Sequence, residues 1–271
     1  MDRLGIEFIT ALGQDPVDFV HSAADLEITR IGIALAPIVL VPEDAPRWSL
    51  RDDPALLADV KSALKSRCVS VMLGEGFLIH PQMDLANSAA DMDLLAVLGA
   101  ERLNLIGLEP DLARSQDQFA RFAEMADERG MGATIEFLPG MPVGDLKTAL
   151  SHVAVSGCAN AGVLIDSMHF FRSGGTIAQL RALDPAMIGH AQLCDLPDVS
   201  PHETYADQAK FERLAPGEGT LPLREFVKAL PAGVLLGLEV PQRGKALAGI
   251  DHRTRIGAIV QRSRSFTTGV L

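Results

Sequence analysis

The stretch GVLIDSMHFFRSGG, residues 162–175, decides how the chain is read. Val163, Leu164 and Ile165 form the short apolar run that a strand buried on both faces requires, and the run stops abruptly at Asp166. His169, Arg172 and the pair Gly174–Gly175 follow. A buried strand that ends by presenting a carboxylate, an imidazole and a guanidinium to one small volume points to a sheet whose strand ends carry chemistry.

The same motif recurs on both sides of this stretch. Strand-type runs occupy residues 4–9 (LGIEFI), 28–35 (ITRIGIAL), 68–73 (CVSVML), 102–108 (RLNLIGL), 132–137 (GATIEF), 161–166 (AGVLID), 187–195 (MIGHAQLCD) and 233–240 (GVLLGLEV). Most are separated by segments of helical periodicity, such as DPALLADVKSALKS and DLARSQDQFARFAEMADERG, several opening on an aspartate suited to cap a helix. Strand then helix, eight times in a chain of 271 residues, predicts an α/β protein of the (β/α)8 TIM-barrel type. An open doubly wound sheet is the rival, but LGIEFITALG lacks the glycine fingerprint that would follow its first strand. No linker or low-complexity tract divides residues 1–271, so one domain is expected.

Composition narrows the function. The chain is 48% hydrophobic and 22% charged with a net charge of −11, which suits a large core and argues against nucleic acid or an anionic membrane as partner. No apolar run is long enough to span a bilayer, and nothing at the start reads as a signal peptide. Cys68, Cys158 and Cys194 show no metal-type spacing and read as core thiols. A soluble cytoplasmic protein is expected.

In a barrel of this kind the site lies at the C-terminal ends of the strands. There the second half of the chain places Glu136, Asp166, Gln192 and Glu239. Any one of them could be a helix cap or the partner of a nearby arginine. Converging carboxylates would repel unless a cation intervened, and four oxygen donors suit a hard divalent ion. His190 shares a strand face with Gln192 and reads either as a core histidine or as a substrate contact. His169, in the polar segment after its strand, reads as a substrate residue. Arg213 lies just before the turn Pro216–Gly219, where glycines would let backbone approach a ligand; its alternative is a surface pair with Glu212 or Glu218. GEGFLIHP, residues 74–81, reads as another loop at the mouth, with His80 as a lid residue.

Between residues 132 and 241 the pieces TIEFLPG, VLIDSMHFFRSGG, GHAQLCDLPD, RLAPGEGTLPL and LEVP resemble, in order and spacing, the xylose isomerase-like TIM barrels. Residues 1–131 add the strand rhythm alone. The resemblance implies one divalent ion held by Glu136, Asp166, Gln192 and Glu239, with His169 and Arg213, and His190 beside them, on a small polyhydroxy carbonyl substrate. Many members carry His where this chain has Gln192; the hydroxypyruvate isomerase-like branch uses Gln, which favours Mn²⁺ or Mg²⁺ and leaves Co²⁺ or Zn²⁺ acceptable. It implies an isomerase or epimerase of carbohydrate metabolism, with Glu136 and Glu239 on either side of an enediolate and His169 assisting. A dehydratase acting on inososes or 3-dehydroshikimate is the alternative, and a metal- or ligand-binding barrel without catalysis belongs to another class. Dimers and tetramers are common among such relatives, so a homo-oligomer stays open. The three-metal nuclease chemistry of endonuclease IV fits poorly with seven histidines in all.

Overall fold

The structure, a computed structural model, describes residues 3–39, 41–43, 45, 47–200 and 202–268. The elements run β1 (Leu4–Ile6), α1 (Pro16–Asp25), β2 (Arg30–Ala34), α2 (Pro54–Arg67), β3 (Ser70–Ile79), α3 (Ala89–Val97), β4 (Arg102–Gly107) and α4 (Leu112–Asp127). They continue β5 (Gly132–Glu136), α5 (Leu146–Ser156), β6 (Ala161–Asp166), α6 (Ser167–Arg172), α7 (Ile177–Ala182), β7 (Ile188–Leu193), α8 (Tyr205–Phe211), α9 (Leu223–Ala229), β8 (Leu236–Leu238), α10 (Arg243–Leu247) and α11 (His252–Thr267). The eight strands are parallel, pair in sequence order and close into a barrel, with β1 against β8 through Leu4↔Leu236, Gly5↔Gly237 and Ile6↔Leu238. The (β/α)8 architecture is thus the observed one.

Local chemistry explains the rhythm. Asp15, Asp53, Asp111, Asp145 and Asp251 each accept a backbone N–H of the following helix, as aspartate does at a helix start. Phe119, Phe122, Ala123 and Ala126 lie along one buried face of α4 and join the apolar layer between helices and barrel.

The strand bounds differ from expectation in three places. β1 ends at Ile6, and Phe8–Ala11 turn into a 3-10 helix, which leaves Glu7 at the strand's end. β3 runs to Ile79, because Ile33↔Gly74, Ala34↔Glu75 and Ile79↔Gly107 keep it paired with both neighbours; most of GEGFLIHP is therefore strand and not loop. β8 is only Leu236–Leu238. Cys68, read as a core thiol, is exposed at the C-terminal cap of α2, whereas Cys194 is buried.

The barrel interior is unusually polar. Within it, His190 Nε2 lies 2.7 Å from Glu7 Oε1, Asn104 Nδ2 donates to Glu136 Oε2 at 2.8 Å, and Thr134 Oγ1 donates to Asn104 Oδ1 at 3.0 Å. Glycines make the room: a Cβ at Gly32 would stand 2.0 Å from Glu7 Oε2 and 2.8 Å from Glu75 Oε1, and one at Gly237 would stand 1.7 Å from Glu7 Oε1.

Candidate active site

A cavity of about 360 Å³ opens at the C-terminal ends of the strands, with Glu75, Asn104, Glu136, His169, Arg213 and Glu239 among its lining residues. Glu75, Asn104 and Glu136 reach it from strands, His169 from α6 and Arg213 from the segment after α8, whereas Asp166 and Gln192 stand at strand ends beside it without lining it. Glu136 and Asp166 are the last residues of β5 and β6, Gln192 lies opposite Asp166 in the β6–β7 register, and Glu239 follows β8 directly. Thr10 fixes this last position, since its hydroxyl donates to Leu238 O at 2.8 Å and accepts from Val240 N at 2.9 Å.

Arg213 ties the set together. Its Nη1 donates to Glu239 Oε2 at 2.5 Å and to Asp166 Oδ2 at 3.0 Å, and its Nε donates to Ala209 O at 2.8 Å. The side chain is therefore buried in ion pairs and is no surface partner of Glu212 or Glu218. The glycine turn after it serves structure: Gly217 N and Leu221 N donate to Asp195, and a Cβ at Gly219 would strike Leu196 O at 2.1 Å. It wraps Asp195.

His169 donates its backbone N–H to Asp166 Oδ1 at 2.9 Å, so Asp166 also caps α6. Its Nδ1 bonds the Tyr205 hydroxyl and its Nε2 faces Glu136 Oε1 at 3.5 Å. Burial lowers the imidazole to a pKa of about 4, so it is neutral at pH 7.

The carboxyls divide. Burial raises Glu136 to about 8, with Asp166 adding to the rise and Asn104 opposing it. Burial likewise lifts Glu239 well above the usual range, and Arg213 offsets this only in part against Asp166 and Glu136. For Asp166 burial pulls the same way, but Arg213 and His169 outweigh it and hold the group below its ordinary value. One guanidinium thus serves more carboxyls than it can neutralise.

Below this ring, Glu7 is fully buried and raised to about 7, chiefly by burial. Burial and the adjacent Glu7 carboxyl push Glu75 well up. Burial lowers His190 to about 3, so its contact with Glu7 is a hydrogen bond to a neutral ring and not an ion pair. His190, expected against substrate, does not line the mouth cavity; it sits deeper and lines a second cavity with Arg30 and Arg102. His80, expected as a lid, contacts Gln82 outside the cavity.

Sequence reasoning missed Glu7, Glu75, Asn104 and Tyr205. Glu7 is a lone carboxylate inside the apolar run LGIEFI, and Tyr205 is the sole tyrosine of the chain.

The donor chemistry suits a hard divalent cation. Gln192 Oε1 is buried without a hydrogen-bond partner, and the carboxyls of Glu7 and Glu75 are hydrogen-bonded to each other, amid groups raised by burial and by their neighbours. Among the described residues, no three carboxylate, imidazole or thiol groups already stand close enough to hold an ion, and Arg213 bridges Asp166 and Glu239.

Residues 31–259 match the family described as Xylose isomerase-like TIM barrel. Among solved structures the chain is similar to an IolI protein with a bound zinc atom, at 16% identity over 98% of this chain and 97% of that one, with a TM-score of 0.78. It is also similar to a D-psicose 3-epimerase crystallised in the presence of D-fructose, at 15% identity, 99% coverage of each chain and a TM-score of 0.74. A probable 3-DHS dehydratase from Bacillus anthracis aligns at 13% identity over 95% of this chain and 97% of that one, with a TM-score of 0.72. These likenesses are of fold. A comparison with the curated proteins finds no match. Among the described residues no helix is long and apolar enough to cross a membrane.

Proposed function

Since the chain belongs to the xylose isomerase-like TIM barrel family, we propose that it is a divalent-metal-dependent isomerase or epimerase acting on a small hydroxy-carbonyl compound. The observation that carries the reading is the pair Glu136 and Glu239, two carboxyls of raised basicity that arrive from separate strands and line one cavity. An ion held by Glu136, Asp166, Gln192 and Glu239, Mn²⁺ or Mg²⁺ by preference, would supply polarisation of the carbonyl.

The chain's own groups do the rest. A carboxyl whose basicity is raised exchanges protons with carbon acids more effectively than one at its ordinary value, so one glutamate removes the proton beside the carbonyl and the other returns one. In the tautomer of His169 that accepts the Tyr205 O–H at Nδ1, the ring proton is on Nε2, where it holds a substrate oxygen near Glu136. Arg213 fixes Asp166 and Glu239 in place through its single Nη1. On this reading residues 1–271 act as one domain, in a soluble cytoplasmic protein that needs neither nucleic acid nor membrane.

Glu75 favours a second reading, loss of water. Its raised carboxyl lines the same cavity beside Glu7, and a neutral carboxyl there donates a proton to a leaving hydroxyl as the base opens the C–H bond. Proton NMR in D₂O with Mn²⁺- or Mg²⁺-loaded protein and a panel of keto sugars, keto acids and cyclic polyols tests both. Solvent deuterium at the carbon beside the carbonyl, lost on chelation, supports proton transfer, and an unsaturated product identifies the lyase. No exchange with any compound leaves a non-catalytic binding barrel, and full exchange in metal-free protein removes the metal from the reaction.

A further inference from the structure

The cavity has two unlike sides. One side is lined by Glu136, His169, Arg213 and Glu239, whereas on the side of β2, β3 and β4 Leu35, Ile38, Phe77, Leu78 and Ile106, joined by Leu138 from after β5, line it beside Glu75, Asn104 and Arg51. The five successive residues Ala34–Ile38, all of them lining the cavity, carry no polar side-chain atom. Ile38 is 45% exposed and Leu78 is 36% exposed, so two large aliphatic side chains stand open to solvent where the cavity begins.

A fully hydroxylated substrate is ill suited to that wall. Against Ala34–Ile38, Phe77, Leu78 and Ile106 each hydroxyl would give up water and find no side-chain donor or acceptor, since Glu75, Asn104 and Arg51 serve only the part of that side they reach, and an unsatisfied hydroxyl is costly to bury. Glu136, Glu239 and His169 lie on the opposite side, where a hydroxy-carbonyl unit reaches them. Resting on the proton-transfer reading, we propose that the substrate is amphiphilic: a hydroxy-carbonyl head held by the polar half, and a flat apolar ring, aryl or alicyclic, seated against Ile38, Phe77 and Leu78. The β2–β4 wall is then the specificity determinant. The covered aliphatic surface becomes a source of affinity, and a simple polyol has nothing to gain from it.

Two probes share one head and differ only in the remote group: α-hydroxyacetophenone carries a phenyl ring where dihydroxyacetone carries a hydroxymethyl. Calorimetric titration of the whole protein is expected to give the phenyl compound a dissociation constant about ten- to hundredfold lower, the scale of burying one ring. Leu78→Ser and Ile38→Ser, both at exposed positions whose change spares the core, are each expected to narrow that ratio. Equal constants, no saturable binding of the phenyl compound, or a serine variant that alters self-association while the ratio holds would each overturn the proposal. Deuterium exchange at the CH₂OH carbon of the same probes separates the two readings. A phenyl preference without exchange defeats proton transfer and keeps the apolar subsite, whereas exchange with no preference does the reverse.

Discussion

Strands β5 to β8 bring Glu136, Asp166, Gln192 and Glu239 to the barrel mouth, whereas β2 to β4 and the segment after β2 bring, beside Glu75 and Asn104, the apolar Leu35, Phe77, Leu78 and Ile106. The two halves use the same scaffold and obey different energetics. In the first, each group is held by charge, so removing one leaves its partners buried and uncompensated. In the second, side chains interact by contact area, so substitutions cost in proportion to what they expose. The polar half is therefore the brittle one, and its chemistry is inseparable from its stability.

The sharpest way to break this contrast is Glu239→Gln, which keeps an oxygen donor and removes basicity. Deuterium exchange is expected to fall about 10²–10⁴-fold, with metal content by elemental analysis retained. His169→Ala should likewise spare the metal while weakening both KM and kcat. Loss of the ion from His169→Ala, together with full activity in Glu239→Gln, would reverse the roles.

Next in size is Arg213→Ala. It leaves Asp166 and Glu239 buried side by side without their shared cation, and chemical denaturation of metal-free protein should show a loss of about 3–5 kcal/mol. Loss below about 1 kcal/mol would mean that the carboxyls relax without it. Gly32→Ala, on the apolar side of the ring, tests how rigidly the carboxyls beneath are held. Its methyl meets Glu7 Oε2 and Glu75 Oε1, and a destabilisation of about 1–3 kcal/mol is expected, against near-neutrality for Gly233→Ala, which has open space around it.

The last effect is a slope. Folded Glu7 keeps its proton to about pH 7, while the unfolded chain loses it near 4.5. Between those values the folded state binds the extra proton, so Glu7 makes stability fall as pH rises, by up to about 1.4 kcal/mol per pH unit. Glu7→Gln removes that contribution, and its stability curve should be flatter from pH 5 to 7 than that of the parent. Parallel curves would show that Glu7 does not titrate there.

The fold was legible because a strand buried on both faces must be short and apolar, and eight such runs cannot hide. The mouth residues of β5 to β8 were legible for the same reason in reverse, as polarity breaking an apolar run. Glu7 and Glu75 escaped because their surroundings mimic other structures. Phe8 and Ile9 follow Glu7 and extend its run to the eye, although the backbone has already turned; Gly74 and Gly76 flank Glu75 and read as a loop, although β2 and β4 hold it as strand. Depth is the other blind spot. Spacing puts His190 and Gln192 on one face, and only the closed register places His190 below the mouth, against Glu7.

The pairing of β1 with β8 also governs when the site comes into being. Thr10 bonds Leu238 and Val240 across 228 and 230 positions of chain, so the contacts that aim Glu239 are among the most distant in sequence that the protein makes. On a ribosome, β1 to β4 emerge with Glu7 and Glu75 facing an unfinished groove, and the ring shuts only after the final strand has been synthesised. Closure over so long a loop is slow, and until it happens β1 offers an unpaired edge to any neighbouring nascent chain. Chaperone dependence during expression, relieved in a circular permutant that makes β8 and β1 consecutive, is the corresponding trait to look for in the cell.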